Sequence, residues 1–216
     1  MITEHRLTAT PASSPIATLR RFVRKPPQGE RCELCGAPIA EEHQHLLEPP
    51  TRRLVCSCDA CAILFSDQQS RRFRRVPRRI DVLSDFRITD EQWEQLHLPI
   101  NLAFFYFSSP AKRIVAMFPS PAGATESLLT LDAWESLAAE NPALRGLDPD
   151  VEALLVNRTG PTADYYRVPI DECFKLVGLI RTHWRGLSGG TEVWKQLGAF
   201  TENLKRRSSS TGASHA

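Results

Sequence analysis

Two pairs of cysteines constrain how this chain can fold more than any other feature. Cys32 and Cys35 form one C-x2-C pair, and Cys58 and Cys61 form another, with 22 residues between the pairs. This spacing lets four thiolates converge on one ion, and a closed shell of four thiolates is typical of structural zinc sites. Gly36 follows the first pair and suits the tight turn of a metal knuckle. The sequence therefore predicts a metal-binding module, with zinc as the metal and iron as the alternative.

A third cysteine and two histidines leave the ligand choice open. Cys56 is the alternative to Cys58, and its other interpretation is a half-buried thiol. We favour Cys58 because its two-residue gap to Cys61 repeats the gap of the first pair. With four cysteines available, we expect His43 and His45 to lie on a solvated loop or hairpin beside the proline pair that follows them.

The cysteines also bear on the cellular compartment. No signal-peptide core is visible in residues 1–18, and the longest apolar run, Leu98–Phe107, is about half the length of a membrane span. We therefore expect a cytoplasmic protein without a membrane span. Clustered thiols in the cytoplasm bind metal more often than they form disulfides, so a disulfide framework is the weaker interpretation.

Length and composition set the domain organisation. A chain of 216 residues with 42% hydrophobic and 24% charged residues suits one medium domain plus a small module. We predict a flexible N-terminal segment (1–28), a Cys-rich metal-binding module (29–70), an Arg-rich connector (71–80), an α+β domain (81–207) and a disordered tail (208–216).

Hydrophobic patterns place the elements of the α+β domain. Thr89 and Gln92 predict a capping box that starts a short helix. Strands are predicted at 103–107, 113–118, 125–129 and 151–156, the first two as a hairpin, and helices follow Leu131, Ile170 and Gly190. The predicted fold class is α+β, with a module similar to a zinc ribbon or treble clef, followed by a small antiparallel sheet packed with helices.

An arginine run follows the metal module. Six arginines lie within residues 71–79, and residues 1–80 carry 14 Lys/Arg against 8 Asp/Glu, a net charge of +6. Such a run beside a zinc module suggests nucleic-acid binding, whereas a solvated connector or a patch that docks on an acidic protein is the simpler interpretation. The run supplies four candidate partner-binding residues: Arg71, Arg72, Arg74 and Arg75.

No catalytic motif accompanies the metal module. The chain has no P-loop, G-x-G-x-x-G or H-E-x-x-H sequence. Asp171 and Glu172 suit the N-terminus of a helix as favourable charges. We therefore expect a non-enzymatic protein.

Three stretches carry a resemblance to a known family: CELCGAPI to CDAC, FPSPAGATE with DVEALLVNR, and VPIDECFKLVGLIRTHWRGLSGGTEVW. Together they resemble an uncharacterised bacterial family encoded beside uptake [NiFe]-hydrogenases. The resemblance implies a zinc-binding accessory protein for hydrogenase assembly or maturation, with a hydrogenase subunit or maturation factor as partner. Trp184 and Arg185, beside two glycines at the junction of the last two predicted helices, are candidate partner-binding residues, and packing of Trp184 in the core is the alternative. A rubredoxin-like iron redox partner is the alternative, and a nucleic-acid-binding zinc protein is the second alternative.

Overall fold

The computed structural model describes residues 29–66, 72–127, 131–186 and 188–210. The predicted flexible segment 1–28, Arg71 and residues 211–216 of the predicted tail lie outside these ranges. The N-terminal part contains β1 (Gln44–Glu48), β2 (Arg53–Ser57), α1 (Asp59–Phe65) and β3 (Arg74–Arg75). The next part contains β4 (Asp81–Val82), α2 (Asp90–Gln95), β5 (Leu102–Ser108), β6 (Arg113–Ser120) and β7 (Gly123–Ser127). The last part contains α3 (Leu131–Glu140), a 3-10 helix (Pro142–Gly146), β8 (Glu152–Asn157), β9 (Asp164–Pro169), α4 (Ile170–His183), α5 (Gly190–Arg207) and β10 (Ser209–Ser210).

The predicted α+β class is confirmed, with two sheets. The small sheet has the order β2-β1-β3, and its strands are antiparallel. The large sheet has seven strands in the order β10-β4-β9-β8-β5-β6-β7. All its pairings are antiparallel except that between β10 and β4, so the sheet is larger than predicted and mixed at one edge.

Helices cover both faces of the large sheet, which explains why its central strands are apolar throughout. Every residue of β8 is buried, and in β5 only Phe107 is exposed. Side chains such as Phe104, Leu155 and Val168 pack against α4 and α5, whereas Phe105 and Leu154 pack on the opposite face. Polar and apolar residues alternate in a strand that has one solvent-exposed face, but a strand that is buried on both faces is apolar throughout.

The predicted helix signals mostly match the structure. Thr89 accepts a hydrogen bond from the Gln92 amide, and the Gln92 side chain bonds back to Thr89, so the capping box is confirmed. The helix after Pro169 ends at His183, because Trp184 is extended. No described helix is long and apolar enough to cross a bilayer.

The Arg-rich segment is not a solvated connector, which corrects the predicted boundary at residues 71–80. Arg74 and Arg75 form β3 and pair with Leu47 and Leu46 of β1. Phe73, before them, packs in the core of the small sheet. Val76 and Ile80, after them, are buried in the core of the large sheet. The apolar residues of this segment therefore anchor it in two cores, on either side of the short strand β3.

The metal module and the large sheet share a core rather than forming separate units. Leu47 of β1 is buried in the same cluster as Val76 and Phe104. Across this contact the Arg52 guanidinium lies 3.1 Å from the Glu126 carboxylate. A module this small buries too little surface to be stable alone, and the shared core supplies part of what it lacks.

Secondary structure is present beyond the predicted domain boundary at residue 207. Ser209 and Ser210 pair with Asp81 and Val82, so the predicted disordered tail is wrong for these residues. Backbone pairing can order a segment that has no hydrophobic pattern.

Candidate metal centre

The first two cysteines lie on a tight turn. The Gly36 amide donates to the Cys32 carbonyl at 2.8 Å, and Gly36 has φ of 75°. The Cys32 amide in turn donates to the Ala37 carbonyl at 2.8 Å. A side chain at position 36 would be strained by this positive φ, which is the physical reason for glycine there. The turn aims the Cys32 and Cys35 sulfurs to the same side.

The second pair comes from the start of a helix. Cys58 is the residue before α1, and Cys61 is buried in its first turn. Four sulfur atoms all lie within 4.8 Å of one another, those of Cys32, Cys35, Cys58 and Cys61. We call these residues the four-cysteine cluster. The structure therefore brings together the four residues that the sequence predicts as ligands.

Sulfur spacing fits a metal ion and excludes a disulfide in the described geometry. The sulfurs of Cys35 and Cys58 are 3.7 Å apart. A tetrahedral ion with metal–sulfur bonds of about 2.3 Å needs neighbouring sulfurs about 3.8 Å apart. A disulfide bond is about 2.05 Å long. The four-cysteine cluster can thus hold a metal ion, and this donor set suits both zinc and iron.

Backbone amides favour the ionised form of one cysteine in the cluster, Cys32. Burial opposes ionisation of Cys32, but backbone amides of Cys58, Cys35 and Leu34 more than offset it and lower its pKa to about 6. Burial and the neighbouring thiols raise the pKa of Cys61 to about 12. Without a cation the sulfurs cannot all ionise together, so a bound metal ion would supply the charge that holds four thiolates close.

Cys56 does not join this cluster, which removes it as the substitute for Cys58. It lies in β2 directly opposite His45 of β1. Its sulfur is grouped with ring nitrogens of His43 and His45, all within 4.8 Å of one another. Its amide donates to the Glu33 carboxylate at 2.8 Å, which ties β2 to the knuckle. Burial, with nearby Glu33, raises the pKa of the Cys56 thiol.

The expected hairpin is present and carries His45, whereas the expectation that the two histidines are solvated is wrong. The His43 side chain is only 8% exposed. His45 lies within β1, and its Nδ1 is 2.7 Å from an Asp171 carboxylate oxygen. The sequence signal for this grouping is the i, i+2 spacing of the two histidines, because alternate residues of a strand share a face.

The described arginines of the run mostly bind carboxylates or amides of the same chain. Arg72 lies 3.1 Å from Glu48, and Arg75 donates to the Gln44 side chain at 3.2 Å. Arg74 lies 3.1 Å from Asp150, whose side chain is 3% exposed. A buried carboxylate needs such a partner, so these contacts stabilise the fold. Partner binding by the arginines stays a prediction.

Trp184 and Arg185 lie at the junction of α4 and α5. Trp184 is half-buried and packs on the main core, and its indole nitrogen donates to the Gly186 carbonyl at 2.8 Å. Arg185 is exposed, and its amide donates to the Gly189 carbonyl at 3.0 Å. The structure therefore supports a packing role for Trp184, and leaves Arg185 accessible.

An apolar groove lies beside this junction. Its cavity volume is about 700 Å³, and its walls come from β5, β6, α4 and α5. Trp194 on α5 contributes a side chain that is 48% exposed, and its ring centroid lies 6.4 Å from that of Trp184. We call this feature the Trp184–Trp194 groove. Sequence analysis missed Trp194, because a helical stripe does not tell an exposed aromatic residue from a buried one.

The fold and the cluster define an α+β protein whose N-terminal part carries four converging cysteines able to hold a metal ion. The chain belongs to a family of unknown function (DUF5947), whose model matches residues 31–208. No curated protein and no solved structure matches the chain. Since the family has no assigned activity, the predicted link to hydrogenases remains a prediction.

Proposed function

We propose that this protein is a non-enzymatic zinc-binding accessory protein that assists the assembly or maturation of a [NiFe]-hydrogenase through protein–protein contacts. The choice of partner rests on the sequence resemblance described above. The contact surface rests on one observation, the Trp184–Trp194 groove. Free thiols in all six cysteines are consistent with the cytoplasmic location that this role requires.

Three properties make the groove a suitable contact surface. It is mainly apolar, it is open to solvent, and a half-exposed tryptophan forms one side of it. Arg158, whose guanidinium lies 5.3 Å from the Trp93 ring centroid, supplies a charged rim. Tryptophan and arginine are enriched among the residues that dominate binding energy. We expect an apolar segment of the hydrogenase partner to occupy the groove.

Zinc is the metal that we assign to the four-cysteine cluster. The chain passes from a knuckle to the β1–β2 hairpin and then to α1, with the second cysteine pair at the start of the helix. This order resembles a treble clef, a structural zinc module, whereas a rubredoxin-like site would place the second pair on another knuckle. Elemental analysis of the purified protein tests the assignment. Visible absorbance that bleaches on reduction would instead establish the iron alternative.

The partner is tested by affinity purification of the full-length chain, tagged at its C-terminus, from the native organism. We expect hydrogenase subunits or maturation factors to be enriched over an untagged strain. Trp194→Ala should abolish that enrichment, because it removes an exposed side chain from the groove. Leu64→Ala is the matched control, since Leu64 is 68% exposed and does not line the groove.

Two outcomes would contradict the proposal. Absence of hydrogenase proteins from the wild-type eluate would remove the assigned partner. Equal enrichment with wild-type protein and the Trp194→Ala variant would remove the groove as the contact surface.

A further inference from the structure

His43, His45 and Cys56 form a second group of metal-ligand side chains. One ring nitrogen of each histidine and the Cys56 sulfur lie within 4.8 Å of one another. The two imidazoles are nearly perpendicular, at 83°, with ring centroids 4.8 Å apart. Pairing of β1 with β2 produces this arrangement, because it sets Cys56 directly opposite His45. None of these residues belongs to the four-cysteine cluster.

Hydrogen bonds show which nitrogen of each imidazole is already engaged. His43 Nδ1 donates to the Ala40 carbonyl at 2.9 Å and lies 3.2 Å from the Glu30 carboxylate. His45 Nδ1 donates to Asp171 at 2.7 Å. Metal-binding histidines are held in this way, with one nitrogen bound to a carbonyl or carboxylate and the other on the metal. In both residues Nε2 is the nitrogen left to bind an ion.

His43 also has an unsatisfied polar atom. Its side chain is only 8% exposed, and its Nε2 is buried without a hydrogen-bond partner among the residues that the structure describes. Leaving a buried acceptor unpaired costs about 1–3 kcal/mol. A metal ion bound to Nε2 would remove this cost. The unpartnered nitrogen is therefore available to bind an ion.

The group faces a polar cavity. The cavity has a volume of about 620 Å³ and receives charged side chains from several elements, among them Glu30, Asp171, Lys175 and Arg207. This group offers three protein ligands beside a cavity, whereas the four-cysteine cluster offers four ligands that form a closed coordination shell. Metal sites that exchange ligands keep such an open position, and two imidazoles with one thiolate suit zinc or copper.

We propose that His43 Nε2, His45 Nε2 and Cys56 Sγ bind a second divalent transition-metal ion, with a coordination position open to this cavity. The ion replaces the proton of the Cys56 thiol, and that proton is released to solvent. A water molecule or a small anion occupies the open position. This inference does not depend on which protein the chain assists.

Metal stoichiometry of the full-length protein tests the proposal. With dialysis against increasing Zn2+, we expect wild-type protein to reach two zinc ions per chain. Cys56→Ser and His43→Ala should each stop at one, because the four-cysteine cluster stays intact. The matched controls Cys173→Ser and His183→Ala should still bind two, since both residues lie outside the group. One ion per chain in wild-type protein, or two in Cys56→Ser, would overturn the proposal.

Cobalt gives a second measurement that needs no variant. Co2+ added to wild-type protein that carries one zinc ion should produce a sulfur-to-cobalt charge-transfer band. The intensity of this band should be that of a single cobalt–thiolate bond. Azide should then shift the d–d bands, because it can enter the open position. A cobalt spectrum without a thiolate band would exclude Cys56 as a ligand. A thiolate band that azide leaves unchanged would contradict the open position.

Discussion

The buried pair of Glu152 and Arg167 allows one prediction to be worked out in detail. Glu152 is 1% exposed and lies on β8, paired with β9. Its carboxylate accepts from Arg167 Nε at 2.8 Å and from the Asp148 amide at 2.9 Å. Arg79 approaches the other oxygen at 3.4 Å. Arg167 therefore supplies the principal charge partner of a carboxylate without access to water.

Replacing Arg167 with leucine leaves this carboxylate in the core with weaker partners. Removing one member of a buried ion pair costs about 3–5 kcal/mol. Because Arg79 and the Asp148 amide remain, we expect a loss in the free energy of unfolding of about 3 kcal/mol. For a chain of this size, that corresponds to a fall in Tm of about 6–12 °C.

Urea denaturation of the metal-loaded protein, followed by circular dichroism, measures this loss. Arg113→Leu is the matched control, because Arg113 pairs with Glu126 at 2.5 Å and both side chains are at least one-third exposed. It should cost no more than about 1 kcal/mol. The double variant Glu152→Leu/Arg167→Leu should cost less than Arg167→Leu alone, since no charge is left in the core.

The reasoning about burial fails under either of two results. A cost for Arg167→Leu equal to that of Arg113→Leu would show that Glu152 keeps access to water. The second result is a loss in unfolding free energy for the double variant that equals the sum of the losses for Glu152→Leu and Arg167→Leu. Such additivity would show that lost packing, and not the unpaired charge, causes the destabilisation.

Three further predictions concern the cluster, a helix junction and a surface ion pair. Cys61→Ser should release the metal of the four-cysteine cluster and unfold the module, whereas Cys173→Ser, in the main core, should keep it; elemental analysis and circular dichroism measure both effects. Gly189→Ala should destabilise the protein by about 1–3 kcal/mol, because φ is 88° and a new Cβ would lie 2.9 Å from Val193. Gly198→Ala, in open space on α5, should stabilise it by about 0.5–1 kcal/mol, and thermal unfolding separates the two. Burial opposes ionisation of Glu126, but arginines more than offset it and lower its pKa below 4.5. The stabilisation from Glu126 is therefore full above pH 4.5 and falls as the pH drops through the folded-state pKa. The difference in unfolding free energy between the wild-type and Glu126→Gln proteins should shrink over that pH range. A difference that stays constant with pH would contradict this prediction.

Local patterns determined several features of the protein. The two C-x2-C pairs predict the four-cysteine cluster because a knuckle and a helix start each present two sulfurs within a few residues. The capping box at Thr89 and the hairpin formed by β5 and β6 follow from short-range hydrogen bonding and strand-forming residues. Cys173, on the helix predicted after Ile170, is fully buried in the main core. Each of these features depends on residues close together in the sequence.

One strand shows where the local signal was insufficient. β9 was missed, although Tyr166 and Val168 are buried and alternate with Tyr165 and Arg167. The pattern spans only a few residues and contains an arginine, so it resembles a loop. That arginine fits in the strand because the buried Glu152 lies diagonally across from it on β8 and accepts its hydrogen bond, and only the pairing of β8 with β9 shows this.

Tertiary structure alone decided the roles of the remaining polar residues. The sequence presents Asp171 as a favourable charge at a helix start, whereas the fold also buries it beside His45, 126 positions away. It presents Arg74 as a surface charge, whereas the fold pairs it with the buried Asp150. The register of the β1–β2 hairpin also joins His43, His45 and Cys56. The physical reason is that a buried charge or imidazole needs a partner, and packing, rather than proximity in the sequence, selects that partner.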